Sequence, residues 1–129
     1  MKKTQHGITL IDMLIAITIL ALLAAIAYPV YTSYIRKARL QNVRATLLQN
    51  SQDMERYYAQ HHKFTGFSAT VNDNDYFTVS VESADEVGYL LKAVPKDSSE
   101  TCSAFLNSNG LFYAVETGKT AETSDCPGF

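Results

Sequence analysis

The sequence predicts an α+β protein in which one long N-terminal helix, apolar along its first half and amphipathic along its second, packs on a four-stranded antiparallel sheet. Three observations predict it. Residues 8–30 form a run of 23 that carries a single charge, Asp12, at its fifth position. Beyond the run, Tyr31, Tyr34, Ile35 and Ala38, then Val43, Leu47, Met54 and Tyr58, recur at spacings of three, four or seven. Arg36, Lys37, Arg39, Gln41, Asn42 and Arg44 fall largely elsewhere, which is the pattern of a one-sided helix. After Tyr76, four short apolar stretches are separated by turn residues.

Size and charge bound the possibilities. With 129 residues, 19% charged and 47% hydrophobic, the chain can build one modest domain plus a membrane anchor, which excludes a large multi-domain enzyme. The formal net charge is −2. From Lys63 onward, Lys63, Lys92, Lys96 and Lys119 face ten carboxylates, a net of −6. Such a head repels nucleic-acid phosphate, so direct DNA binding is not expected.

Residues 1–7 are a short basic leader containing Lys2, Lys3 and His6 and closed by Gly7. A secretory signal peptide has an apolar region of roughly 7 to 15 residues followed by its cleavage point. Here the run is longer and the glycine precedes it. Cleavage would leave the apolar segment on the mature protein, where some 20 helical residues span about 30 Å of hydrocarbon. A lone carboxylate near the start of such a segment is costly unless it has a task, which singles out Asp12. Counting flanking positive charge would, if anything, put the C-terminal flank inside, because Lys2 and Lys3 stand at one end against Arg36, Lys37, Arg39 and Arg44 at the other.

Pro29 lacks an amide hydrogen and clashes with the turn before it. A kink is expected there rather than an end, since strong helix formers and no glycine follow for three turns or more. A helix over residues 8–60 is roughly 80 Å long at about 1.5 Å per residue. Residues 61–75, with Gly66 and no sustained period, connect helix to sheet. Strands are expected over residues 76–81, 88–94, 101–106 and 111–115. The last two flank Asn107-Ser108-Asn109-Gly110, whose Asn-Gly pair favours the positive φ angles of a tight hairpin. The expected core sets Val43, Leu47, Met54 and Tyr58 against Phe77, Val79, Leu91 and Val94.

The N-terminal pattern resembles a type IV prepilin. The resemblance rests on the leader and Gly7, on Ile8-Thr9-Leu10-Ile11-Asp12-Met13-Leu14-Ile15, on Pro29 as the twenty-second residue from Ile8, and on the pair Cys102 and Cys126. The stretches Arg44-Ala45-Thr46-Leu47-Leu48 and Met54-Glu55-Arg56-Tyr57-Tyr58, with the tail ending Asp125-Cys126-Pro127-Gly128-Phe129, are most similar to minor pilins of the PilE and PilV types.

That resemblance implies the type IV pilin fold of a class A prepilin. Residues 1–7 would be the leader, 8–30 the transmembrane and filament-core helix, and 31–129 the periplasmic and then extracellular head. It implies cleavage by prepilin peptidase between Gly7 and Ile8, N-methylation of Ile8, and an assembly ion pair between Asp12 and the new α-amine of a neighbouring subunit. Leaving either charge of such a desolvated pair alone costs several kcal/mol, which selects the register between subunits. The family usually has glutamate where Asp12 stands and phenylalanine where Ile8 stands. Asp12 keeps the charge and loses one methylene of reach, which tilts the choice towards an accessory subunit. A Cys102–Cys126 disulfide would pin the tail to the sheet and contribute roughly 3 kcal/mol. Without C-x-x-C spacing or further ligands, the pair suits neither a redox nor a zinc site.

Other constellations are weaker. Asn72-Asp73-Asn74-Asp75 resembles a fragment of a calcium loop but lacks the following glycine and the distal glutamate, and reads as a solvated turn. His61-His62 suits the end of the helix, where imidazoles meet the last carbonyls. Tyr28, Tyr31, Tyr34, Tyr57 and Tyr58 read as packing residues near a membrane or a subunit interface. No phosphate loop, nucleophile elbow or acid–base pair is present, so no catalytic residue, cofactor or metal is expected.

The expectation is therefore a minor pilin, held in the inner membrane before assembly and then part of an extracellular pilus, modulating adhesion, aggregation or DNA uptake. Its expected partners are other pilin subunits through the N-terminal helix, prepilin peptidase and methyltransferase, the inner-membrane assembly machinery, and a host-cell receptor or neighbouring pili. A major pilin, a DNA-receptor pilin and a type II secretion pseudopilin are the alternatives.

Overall fold

Leu40, Val43, Leu47, Asn50 and Met54 are the buried residues of one helix, and their alternating spacing of three and four is that of a single helical stripe. The helix is α1, Leu10–His61, of 52 residues. The structure, a computed structural model, describes residues 6–67, 73–119 and 126. Lys2, Lys3, Asn72, Asp125, Pro127, Gly128 and Phe129 lie outside the described residues.

By its contacts the chain divides into two units, Met1–Arg36 and Lys37–Phe129. In the first, the large apolar side chains of α1 are exposed, including those of Leu10, Ile15, Leu20 and Ile26. This stretch is long and apolar enough to cross a membrane. Helical structure continues through Pro29, so the proline does not end α1. One turn on, the Thr32 hydroxyl donates to the Pro29 carbonyl at 3.0 Å.

In the second unit α1 closes at His61, and His62 takes a left-handed φ of 56° while its amide donates to the Tyr58 carbonyl at 2.7 Å. That is a left-handed helix cap built without glycine. The sheet comprises β1 (Phe77–Ala84), β2 (Tyr89–Pro95), β3 (Cys102–Asn107) and β4 (Phe112–Glu116). It is an antiparallel meander in the order β1-β2-β3-β4. Each expected strand is found. β1 runs beyond residue 81 because a bulge between Val81 and Ser83 shifts the register without ending the pairing.

The helical stripe packs with Phe77, Val79, Tyr89, Leu91, Ala93, Ala104 and Leu106, and Phe64 closes one end. Two residues of the expected core are not in it. Leu91 and Ala93 face inward, so alternation turns Val94 to the opposite face, where it is 39% exposed. Tyr58 lies at the rim, 36% exposed and stacked on Phe64 at 4.6 Å between centroids. Phe64 and Tyr89, in edge contact at 4.9 Å, fill the space instead.

The β3–β4 hairpin also differs from expectation. Gly110 alone of the Asn-Gly pair takes positive φ, 80°. The Asn107 carbonyl accepts from the Gly110 amide at 3.0 Å, and the Asn107 amide donates to the Leu111 carbonyl at 3.1 Å. This is a three-residue loop with glycine in the left-handed position, whose Asn107 side chain accepts the amides of Asn109 and Leu111. Cys102, buried at the start of β3, is disulfide-bonded to Cys126 with the Cα atoms 5.9 Å apart.

Candidate functional site

The residues singled out for processing and assembly meet at the start of α1. Gly7 lies just before it, and a Cβ added there would meet nothing within 4 Å. Neither space nor a positive φ requires glycine at this position. Ile8 follows as an exposed residue. Thr9 is the N-cap of the helix, because its carbonyl accepts the first helical bond, from the Met13 amide at 3.3 Å.

Asp12 sits three residues on. Its Oδ2 accepts from the Thr9 amide at 3.0 Å and from the Thr9 hydroxyl at 2.8 Å, while the Asp12 amide approaches Thr9 Oγ1 at 3.4 Å. This is a capping box with aspartate in the place more often held by glutamate. In the sequence Asp12 is conspicuous by its charge, and its partner Thr9 is not. The signal was available: a threonine, two residues and an acid opening an apolar run.

In the second unit the polar side chains serve the sheet. Asp73 Oδ1 accepts the Val79 amide at 2.7 Å, and Asn74 Oδ1 accepts those of Tyr76 and Phe77 at 2.9 and 2.6 Å. These oxygens of the calcium-like stretch hold the start of β1. Among the described residues no three of His, Cys, Asp and Glu are grouped to hold a metal ion. His61 stacks on Tyr57 at 4.1 Å, with Nδ1 3.1 Å from the Tyr57 carbonyl. The Arg39 guanidinium lies over the Tyr76 ring at 4.7 Å and 3.9 Å from Asp97. Hydrogen bonds from Ser99 hold the Asp97 carboxyl below its usual range, and Arg39 adds to the effect. The sheet face away from α1 bears an open groove of about 280 Å³ over Val94, Phe105 and Val115. Its rim lysines already face carboxylates, Lys92 with Glu82 at 3.3 Å and Lys119 with Glu116.

Comparison with known proteins gives two family matches. Residues 29–106 match the family described as type IV minor pilin ComP, DNA uptake sequence receptor, and residues 2–28 match the prokaryotic N-terminal methylation motif. The type IV major pilin protein PilE1 of Neisseria gonorrhoeae is 34% identical over 113 residues, 86% of this chain and 58% of that protein. The fimbrial protein EcpC of Eikenella corrodens is 35% identical over 98 residues, 70% of this chain and 63% of that protein. The chain thus spans less than two thirds of the length of either. The crystal structure of the non-core minor pilin PilV of Neisseria meningitidis superposes with a TM-score of 0.63 at 35% identity, covering 72% of this chain and 99% of that one.

Proposed function

The chain belongs to the type IV pilin family, and we propose that within it this protein is a minor subunit, built into a type IV pilus in small number to modulate what the filament does at its surface. One observation supports the reading: residues 29–106, more than half of the chain, match a family described as a type IV minor pilin, in agreement with the likeness to the minor pilin PilV at 35% identity and a TM-score of 0.63. In this reading prepilin peptidase cuts between Gly7 and Ile8 and Ile8 becomes N-methylated, in keeping with the methylation motif over residues 2–28. The apolar part of α1 holds the subunit in the inner membrane and later lies in the filament core, kinked at Pro29. There Asp12 neutralises the Ile8 amine of a neighbouring subunit. The head meets other pili or a host surface, and no catalytic role is assigned to it.

A second reading is a DNA-uptake receptor, favoured by the description of the family matched over residues 29–106. The charge from Lys63 onward, −6, opposes it, since affinity for duplex DNA rests on neutralising phosphates with Lys and Arg. Deletion of the gene separates the readings. A minor surface subunit leaves filaments in place and reduces adhesion or aggregation. Loss of all filaments would identify the major subunit. Loss of salt-sensitive binding of duplex DNA, with aggregation intact, would identify the receptor.

A further inference from the structure

The face of the sheet turned away from α1 is the side on which an antiparallel sheet meets water, and it is ordinarily polar. Here it bears Val94, Phe105 and Val115, which with Ser103 line the open groove of about 280 Å³. Ala104 and Leu106 belong to the core, so alternation turns Ser103 and Phe105 to this outer face. Phe105 is fixed in the wall by the Tyr113 ring, 9° from parallel at 5.2 Å, and by the Lys92 ammonium 5.7 Å from its centre. Ser103 is the anomaly: it is 7% exposed, and among the described residues its hydroxyl has no hydrogen-bond partner. A buried hydroxyl without a partner costs free energy, so an occupant that bonds it gains what the chain leaves unused.

The rim decides the charge of that occupant. Lys92 faces Glu82 at 3.3 Å and Lys119 faces Glu116, so an anion or a cation would have to compete with an existing pair. A neutral hydroxyl competes with neither, since it donates to a carboxylate and accepts from an ammonium. The walls call for an apolar body and the floor for a hydroxyl partner. An aliphatic side chain would fill the walls and leave Ser103 unpaired. The volume falls just below the range of about 300–1,000 Å³ that holds drug-sized ligands, which suits a single ring. We propose that this groove binds one neutral pyranose unit of a saccharide. Its C–H body lies between Val94, Phe105 and Val115, one hydroxyl bonds Ser103, and others meet the Lys92–Glu82 and Lys119–Glu116 pairs. The site lies wholly in the head, so it stands whether the subunit is minor or major.

The test titrates the full-length chain, in a detergent without a sugar headgroup, with galactose, glucose and N-acetylglucosamine, followed by ligand-observed NMR. Inorganic phosphate and a thymidine oligonucleotide are titrated in parallel. At least one of the sugars is expected to bind saturably, with a Kd on the order of 1 mM for a single ring. Ser103→Ala is expected to weaken binding by about fivefold, the equivalent of one hydrogen bond, with a melting temperature equal to or above the native one. Val94→Phe fills the groove from an exposed wall position and is expected to abolish binding while the head stays folded. Failure of all three sugars to bind would overturn the proposal, as would sugar binding that both variants leave unchanged. A lower melting temperature for Ser103→Ala would show that the chain itself satisfies the hydroxyl, and would overturn its role. Binding of phosphate or of the oligonucleotide that Val94→Phe abolishes would assign the groove to an anion and overturn the proposal as well.

Discussion

The Tyr89 hydroxyl lies 2.6 Å from the Ser51 hydroxyl and 3.3 Å from a carboxylate oxygen of Glu55, so β2 is tied to α1 by a polar contact at the margin of an apolar core. Burial raises the Tyr89 phenol above its ordinary value; the Ser51 bond works the other way, and the Glu55 charge adds to the rise. A phenol whose folded pKa exceeds its unfolded one contributes stability that is full below the unfolded value and is lost as pH rises through the folded value. Tyr89→Phe is therefore expected to cost about 1 kcal/mol near neutral pH. The gap between variant and native chain should shrink above the ordinary tyrosine value. Denaturant unfolding at neutral and strongly alkaline pH measures it, and a constant gap would remove Tyr89 from the alkaline limit.

Leu47 and Val94 test the packing. Leu47 is fully buried in the helical stripe, and Leu47→Ala is expected to destabilise the head by roughly 2–5 kcal/mol through lost burial and a cavity. Val94 faces away from α1, and Val94→Ala should cost under about 1 kcal/mol. Thermal unfolding of the detergent-solubilised chain distinguishes them; equal losses would mean that Val94 packs in the core after all.

Reduction of Cys102–Cys126 should remove roughly 3 kcal/mol, because the bond closes a loop of 24 residues and restricts the unfolded chain. The expected reading is a melting temperature lower by on the order of 10 °C for a head of this size. An unchanged melting curve after verified reduction would show that the staple is not needed for stability.

At Gly7 the expectation separates processing from folding. A side chain there meets nothing within 4 Å, so Gly7→Leu should leave the fold and membrane insertion unchanged. The same substitution should block removal of the leader, seen as a larger subunit on immunoblot. Normal cleavage of the variant would contradict the assignment of the Gly7–Ile8 bond.

Much of this was legible in the residues, and the exceptions have physical causes. The strands were readable because apolar residues and turn residues alternate on the scale of one strand. Val94 is apolar on a face whose other inhabitants include Lys92 and Ser103, so composition points it inward while the period-two rule that Ala93 obeys turns it out. Asn50 is not legible as a core position because a polar residue breaks the count of apolar ones. It is buried in the stripe, where its side-chain amide donates to the Thr46 carbonyl at 2.9 Å. Alternation ends at Val81, although β1 continues to Ala84, because the bulge between Val81 and Ser83 shifts the register. At the candidate site, Asp12 stands out by charge and position, and Gly7 and Ile8 through the resemblance to prepilins. Thr9 is legible only through the capping-box spacing of a threonine, two residues and an acid, and the structure gives that spacing its meaning by placing the hydroxyl on the carboxylate.

The central claim is that this chain enters pili as a processed minor subunit, and quantitative mass spectrometry of sheared, washed pili tests it most directly. The expected result is a chain beginning at Ile8, methylated on its amine and present at a small fraction of the bulk pilin. A filament composed mainly of this chain, or pili from which it is absent while it remains abundant in the membrane, would contradict the claim.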